Sequence, residues 1–357
     1  MQILMIMNGE GIGGAELQFV ELANQLGLGH DVTLVCLQGA NSIQAGKLSP
    51  SIQIKEFPYP SGSQALGQLF RAIKFCRRLE YDVIVTTSFI GDFVGSLSKR
   101  DARNKLISLQ TVSAKKQHHF ADNILLKRSD FMVAGCRDIE NFLILNGHSP
   151  SKIRVINNWV DFSARKVTKS VSEVRAAYGF GEAGTVVGCI GRMHHQKGQE
   201  YLIRAFLTLS QRLPDAMLVL VGDGPLKSEM MKEAGASKRV IFTGTVTGDD
   251  YTNLLNSFDF YVQPSRFEGL PRTLLDAMYM GLPIVASAAN GMGDIIKHGE
   301  NGWLVPPEDE RAIVRTLEYL FLNRKRAQEA GKRAAHDARK NYAMSVQTKK
   351  IEHLIIE

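Results

Sequence analysis

What most limits the folds open to this chain is a recurring alternation. Short apolar runs of strand length give way, again and again, to longer stretches with helical spacing. Residues 2–8 predict a strand, a glycine loop follows, and residues 15–26 predict a helix with Leu17, Val20, Leu22, Ala23 and Leu26 facing inward. The next strand covers 31–37. Residues 66–79 repeat apolar side chains at Leu69, Ala72, Ile73 and Cys76, and 82–87, 105–109 and 131–134 predict strands. A helix over 137–145 ends at Asn146-Gly147, and 153–156 predict another strand. This βαβα order implies parallel sheets covered by helices on both faces, an α/β fold.

The pattern breaks once. Residues 163–172 are polar and basic, without apolar period, and predict a linker. A second series follows, with strands over 185–190, 217–221, 240–242, 258–262, 283–286 and 303–305. Its helices fall over 198–213, 225–234, 249–256 and 271–280, with a long helical stretch over 309–341. At 357 residues the chain has room for two domains, each able to bury a core. The expected division is 1–165 and 166–341. Each is Rossmann-like, and the two face one another across an interdomain cleft. In open parallel sheets ligands bind at the carboxyl ends of the strands, so such a cleft would be fed by loops from both.

Composition narrows the class. With 44% hydrophobic and 22% charged residues, the chain is neither disordered nor a small disulfide scaffold. No apolar run approaches the ~18–20 residues that span a bilayer, and the N-terminus lacks the basic region of a signal peptide. Cys36, Cys76, Cys136 and Cys189 are scattered, as expected of reduced thiols in a cytoplasmic protein. The net charge is +7. Arg71, Lys74, Arg77, Arg78, Lys99, Arg100, Arg103, Lys105, Lys115, Lys116, Lys127 and Arg128 stand against few acids. That cluster reads either as a solvated face or as a surface attracted to anionic lipid, at about 1 kcal/mol per basic residue. A nucleic-acid partner is not expected; on the second of these readings the protein is cytoplasmic and peripheral on the inner face of a membrane.

Three loops carry the chemistry. The first, residues 9–16, includes Gly13 and Gly14, follows a strand and opens a helix. Backbone N–H groups there suit an anion, although many α/β proteins have such a turn. The second runs from Gly191 to Gly198. Arg192 offers a fork of donors and Lys197 a point charge, five residues apart, a pairing that suits a diphosphate. The Walker order is absent, and the adjacent His194 and His195 have no third ligand, so no metal is expected. The third covers 265–278. Glu268 precedes a helix that Pro271 can start, and Asp276 lies inside it. Two carboxylates so spaced can each accept hydrogen bonds from a polyol, with the amides of Gly269, Leu270, Pro271's neighbour Arg272 and Thr273 between them for phosphate. Gly222-Asp223-Gly224-Pro225 reads as a structural turn, and residues 290–294 as another glycine loop.

With these residues in place, the chain resembles the family-4 glycosyltransferases of the GT-B fold. The matching stretches are GIGGAE, VINNWVD, GRMHHQKG, LVGDGP, VIFTGTV, PSRFEGLPRTLLDAMYMGLPIVAS and NGMGDIIKHGENGWLVPPED. The resemblance runs to about residue 310. It implies retaining transfer of a sugar from a nucleotide-sugar donor, with UDP the common base, to a saccharide or lipid-linked saccharide acceptor of a surface glycan, with no metal or other cofactor. It implies that Arg192 and Lys197 bind the diphosphate, Glu268 the donor sugar, and Asp276 the ribose. Gly13, Gly14 and the stretch Gly269, Leu270, Pro271, Arg272 and Thr273 would lie against sugar and phosphate, with Asn290 and Asp294 near the cleft wall. The resemblance further implies that 1–165 binds the acceptor and 166–341 the nucleotide sugar, with the last segment, 342–357, crossing back to the first domain.

Two departures stand out. The family has Glu at both ends of its seven-residue gap, whereas Asp276 is shorter by about 1.5 Å. Where many members carry a histidine, this chain has Gln110, which can hydrogen-bond a hydroxyl but cannot titrate. Asp92, expected in the loop after 82–88, is the acidic candidate to assist on the acceptor side. The competing readings are an epimerase or hydrolase of the same fold, and a nucleotide-sugar-binding scaffold without turnover. A dehydrogenase lacks its glycine fingerprint here.

Overall fold

The computed structural model describes residues 1–9, 14–37, 48–58, 64–100, 104–110, 124–181 and 184–357. The chain divides into two compact units, one of residues 1–158 with 345–357 and the other of residues 159–344. The division falls between Asn158 and Trp159, ahead of the 165/166 boundary expected from composition.

The first unit holds a seven-stranded sheet built from β1 (Gln2–Met7), β2 (Asp31–Cys36), β3 (Gln53–Glu56), β4 (Val83–Thr87), β5 (Lys105–Gln110), β6 (Phe131–Ala134) and β7 (Ile153–Val155). The order is β3-β2-β1-β4-β5-β6-β7, and every pairing is parallel. β1 and β4 are buried almost throughout, as strands covered on both faces must be. The closing helix Met344–Ile356 buries Ile351, Leu354 and Ile355. Within the first unit its last turn receives the Lys105 ammonium on the Leu354 and Ile355 carbonyls, each at 3.2 Å. That is where the helix macrodipole favours a cation.

The second unit holds a six-stranded parallel sheet of β8 (Thr185–Ile190), β9 (Ala216–Val221), β10 (Val240–Gly244), β11 (Phe260–Gln263), β12 (Ile284–Ser287) and β13 (Trp303–Val305). Its order is β10-β9-β8-β11-β12-β13. Helices Gln199–Ser210 and Glu310–Leu322 cover one face, where Leu202, Phe206, Ile313 and Leu317 pack on Val187 and Val285. Helix Arg272–Tyr279 joins the other core, where Leu274, Leu275 and Met278 lie with Tyr261 and Ile284. All four cysteines are buried and reduced. Burial pushes the Cys76 and Cys189 thiols up to about 12, so neither is a nucleophile at neutral pH.

Three expectations need correction, and one strand was not expected. The 163–172 segment is not a free linker, because its polar groups are spent on the second unit. Asn253 Oδ1 accepts from the amides of Thr168 and Lys169 at 2.8 and 3.1 Å, and Ser170 with Glu173 forms a capping box that starts helix Val171–Ala177. The 309–341 stretch breaks at Asn323 into Glu310–Leu322 and Arg324–Asn341. Strand β3 is a four-residue edge with little apolar signal. Asp92 lies on a helix, Ser88–Ser98, rather than in a loop. That helix is rich in glycine and serine and weak in intrinsic propensity. Packing makes it possible: a Cβ at Gly95 would overlap the Thr86 side chain, so only glycine lets the helix lie this close to β4.

Candidate functional site

Each sheet order contains one place where the connections diverge. In the second unit the chain leaves β8 toward β9 on one side and leaves β11 toward β12 on the other. Loops after two such strands part and open a crevice at their carboxyl ends. The loops at this point are residues 191–198 and 264–271, the two that carry the charged motifs.

The structure brings Lys197 and Glu268 together in an ion pair, their side chains 20% and 8% exposed. Glu268 also accepts from the Ser265 hydroxyl at 3.1 Å and from Gln196 Nε2 at 3.4 Å. Behind it runs a buried chain of hydrogen bonds: Tyr261 donates to Gln263 Oε1 (2.7 Å), and Gln263 Nε2 donates to Ser265 Oγ (2.8 Å). The Glu268 carboxylate is thus aimed from below as well as paired from the side. Arg192 is exposed on the same loop as Lys197.

Two features that sequence reasoning passed over fix these loops to each other. Arg266 donates to the His195 carbonyl (2.6 Å), to Glu200 (2.7 Å), to Glu308 (2.8 Å) and to the Tyr201 hydroxyl (2.8 Å), and lies over the Tyr201 ring. Its own amide donates to the Gln196 carbonyl at 2.8 Å. Gly198 has φ +60, and a Cβ there would overlap the Pro264 carbonyl oxygen. A side chain would force the two loops apart. The clue to Arg266 was its place beside Glu268, but a lone arginine in a loop does not announce four acceptors.

In the 264–271 loop Gly269 is half-buried and Leu270 and Pro271 are buried; Arg272 and Thr273 are half-buried at the helix start. Pro271 is the N-cap of helix Arg272–Tyr279 and no side chain caps it; Thr273 Oγ1 donates to Gln263 at 3.3 Å. Asp276, one turn on, is only 2% exposed. Arg165 Nε donates to its Oδ1 at 2.7 Å and Nη2 to its Oδ2 at 3.2 Å, while the Tyr251 hydroxyl donates to Oδ2 at 2.8 Å. Burial first, and then the Asp276 charge, hold the Tyr251 hydroxyl well above the ordinary tyrosine range, so it stays a donor. Arg165 comes from the stretch expected to be linker. Asn290, in the loop after β12, has a positive φ of 44, and Asp294 is exposed on helix Met292–Ile295.

In the first unit the divergence lies between β1 and β4. Gly14 opens helix Gly14–Leu26, and Gly13 lies outside the described residues. After β4, Ser88 adopts φ +68, an uncommon conformation for a side chain of this kind. Asp92, on the helix that Ser88 starts, is 3% exposed and accepts from Thr86 (2.5 Å), Ser108 (2.6 Å) and Gln110 Nε2 (2.9 Å). Asp92 and Gln110 therefore belong to one cluster.

Much of the basic stretch is structural. Arg77 donates to the Leu97 carbonyl (2.9 Å), Arg100 to that of Leu79 (2.6 Å), and Lys99 pairs with Asp130 (2.6 Å). Arg71, Lys74, Arg78, Lys127 and Arg128 are exposed, while Arg103, Lys115 and Lys116 lie outside the described residues. Among the described residues no helix is long and apolar enough to cross a membrane, and no three His, Cys, Asp or Glu side chains group as metal ligands. His194 instead turns its Nδ1 to accept from the Gln196 amide at 3.3 Å.

Comparison with known families decides what such a pair of sheets is. Residues 12–164 match the model for "Glycosyltransferase Family 4", and residues 170–337 match that for "Glycosyl transferases group 1". The chain belongs to the family-4 glycosyltransferases. It is similar to the lipopolysaccharide core biosynthesis mannosyltransferase LpsB of Rhizobium meliloti, at 26% identity over 70% of this chain and 72% of the relative. It is also similar to the sulfoquinovosyl transferase SQD2 of Arabidopsis thaliana, at 32% identity over 57% of this chain and 39% of the relative. Among solved structures, Anabaena HepE in complex with UDP and glucose aligns with a TM-score of 0.85 at 23% identity, covering 99% of both chains. Sucrose-phosphate synthase of Thermosynechococcus elongatus aligns at 0.84 and 18% identity, over 99% of this chain and 98% of that one. This glycosyltransferase thus has the GT-B fold, two parallel-sheet α/β domains of seven and six strands.

Proposed function

We propose that this glycosyltransferase moves a hexosyl or N-acetylhexosaminyl group, with retention at the anomeric carbon, from a UDP-sugar to a saccharide or lipid-linked saccharide of a surface glycan. The observation that carries the reading is the Lys197–Glu268 pair at the β8/β11 divergence, with Arg192 on the same loop. In the free enzyme the Lys197 ammonium neutralises Glu268. An arriving diphosphate competes for that ammonium and gains the Arg192 guanidinium. Glu268, released from the lysine but still held by Ser265, then accepts from hydroxyls of the donor sugar. Breaking the glycosyl–phosphate bond builds charge on the leaving diphosphate. Fixed cationic donors and the first-turn amides of helix Arg272–Tyr279 oppose that charge without reorganising, an effect worth several kcal/mol of barrier.

The Asp276 carboxylate supports a ribose contact on its Oδ1 side. A carboxylate has about four acceptor positions, and Arg165 and Tyr251 occupy three of them. The first unit is proposed to take the acceptor, with Asp92 and Gln110 on that side. Its exposed basic residues Arg71, Lys74, Arg78, Lys127 and Arg128 are proposed to meet anionic lipid. Sedimentation with anionic vesicles tests that point: loss of binding on neutralising these residues is the expected result, and a wild type that stays in the supernatant ends it.

A GDP-mannose donor is the second reading, favoured by the mannosyltransferases among the relatives. Thermal shift with UDP-, GDP- and ADP-sugars separates the two. Incubation with labelled donor separates transfer from its competitors. Label in a saccharide or lipid fraction supports transfer. Free sugar or an epimerised donor supports the hydrolase or epimerase. Binding without turnover on any acceptor supports a scaffold.

A further inference from the structure

Arg266 stands two residues ahead of Glu268, in the loop that carries the charged motif after β11. Its own donors are committed within the protein. Of the five N–H groups of a guanidinium, four go to protein acceptors: Nε to Glu308, Nη1 to the His195 carbonyl and to Glu200, and Nη2 to the Tyr201 hydroxyl. Tyr201 gives its own proton to Glu308 at 2.9 Å, which closes the ring of contacts. The side chain is 12% exposed, and its guanidinium carbon lies 4.8 Å from the centre of the Tyr201 ring. A side chain so occupied has little left for a phosphate.

The acceptors sit beyond the ends of different strands. His195, Glu200 and Tyr201 follow β8, Arg266 follows β11, and Glu308 follows β13. Glu308 adopts a left-handed φ of +63, uncommon for a residue with a side chain, and still meets the guanidinium. Ser287, the last residue of β12, adds a hydrogen bond from its hydroxyl to the Ser265 carbonyl. One arginine thus ties the carboxyl edge of the second sheet across three strand ends.

The consequence falls on Lys197. Residues 195 and 196 immediately precede it, and both are fixed to position 266. The Arg266 side chain holds the His195 carbonyl at 2.6 Å, and the Arg266 amide holds the Gln196 carbonyl at 2.8 Å. Gln196 Nε2 then donates to the Phe267 carbonyl at 3.1 Å. The turn that ends in Lys197 therefore hangs on residues 266 and 267, and Glu268, the ion-pair partner of Lys197, comes next. We propose that Arg266 is a positioning residue for the diphosphate site. It holds the His195–Lys197 turn, and so sets where the Lys197 ammonium stands when Glu268 gives it up. The inference rests on the proposed donor site around Lys197. Lysine cannot take over the task, because a point charge on a flexible stem does not match acceptors spread around a planar fork.

Calorimetric titration of the full chain with UDP or GDP, whichever the thermal-shift screen selects, tests it without turnover. Arg266→Lys, which keeps the charge, should weaken binding about tenfold or more, since small displacements of a binding group carry large penalties. In the Lys197→Ala background the same substitution should change Kd less than about twofold, because the residue it acts through is gone. A merely structural role would lower the number of binding sites per chain and leave the Kd of the remaining sites unchanged. Glu308→Gln, which keeps an acceptor for Nε but loses the one for Tyr201, serves should Arg266→Lys not fold. It should weaken binding about threefold or more, with the same dependence on Lys197. A Kd within about twofold of wild type in the folded variant, or a penalty as large without Lys197 as with it, would overturn the proposal. A wild type that binds neither nucleotide would instead end the donor reading, and this inference with it.

Discussion

The two sheets place polar side chains at equivalent points, where the connections diverge, and build them from opposite materials. In the second unit the groups are ions in pairs: Lys197 with Glu268, Arg165 with Asp276. In the first unit a buried carboxylate accepts from two hydroxyls and an amide. An ion pair can exchange partners with an anionic ligand. A network of neutral donors around a carboxylate sets directions and recognises hydroxyls. The difference fits the proposed division of labour, in which the second unit takes the charged diphosphate with the sugar and ribose joined to it, and the first takes the uncharged acceptor.

That contrast can be broken in several ways. The largest effect is expected where a buried ion loses its partner. Arg165→Met or Asp276→Asn should cost about 3 kcal/mol or more of stability in denaturant titration, as removal of one member of a buried pair does. A loss below about 1 kcal/mol would mean that Arg165 is as dispensable as a linker residue. Next comes the exchangeable pair. Lys197→Ala and Arg192→Ala should each lower turnover ~10²-fold or more, and Glu268→Gln should lower it with folding intact. Unchanged rates would move the diphosphate elsewhere. Gly198→Ala should follow, at about 1–3 kcal/mol of backbone strain, read as a raised donor KM when the 191–198 and 264–271 loops part. An unchanged KM would show that their spacing is not critical.

The smallest effect belongs to the first unit. His148 is buried, and burial, followed by Lys127 and Lys152, lowers its pKa below the usual 6.5. The folded state thus binds this proton less readily than the unfolded one. The contribution is fully present above pH 6.5 and is lost as pH falls toward the lowered folded value. The melting temperature should drop slightly across that window, and His148→Gln should remove that part of the drop. An identical acid slope in the variant would assign it to other groups.

The alternation of apolar strands and amphipathic helices carried most of the fold, because burial on both faces of a parallel sheet writes itself into continuous apolar runs such as β1 and β8. The helix Ser88–Ser98 escaped for the complementary reason: close packing requires glycine at position 95, and glycine with serine depresses helical propensity. In the site, the charged loops were visible because strand–loop–helix order puts them at one sheet edge. Arg165 was not, since a basic residue in a polar stretch looks solvated until its partner, 111 positions away, is known. The cluster that joins Asp92 to Thr86, Ser108 and Gln110 was likewise hidden, since its members come from β4, helix Ser88–Ser98 and β5.

The most direct test of the Lys197–Glu268 exchange is a structure of this glycosyltransferase with UDP-sugar bound. The diphosphate should lie within hydrogen-bond distance of Lys197 and Arg192, with the Lys197–Glu268 pair opened and Glu268 on a sugar hydroxyl. A nucleotide held away from both cations, with that pair intact, would contradict it.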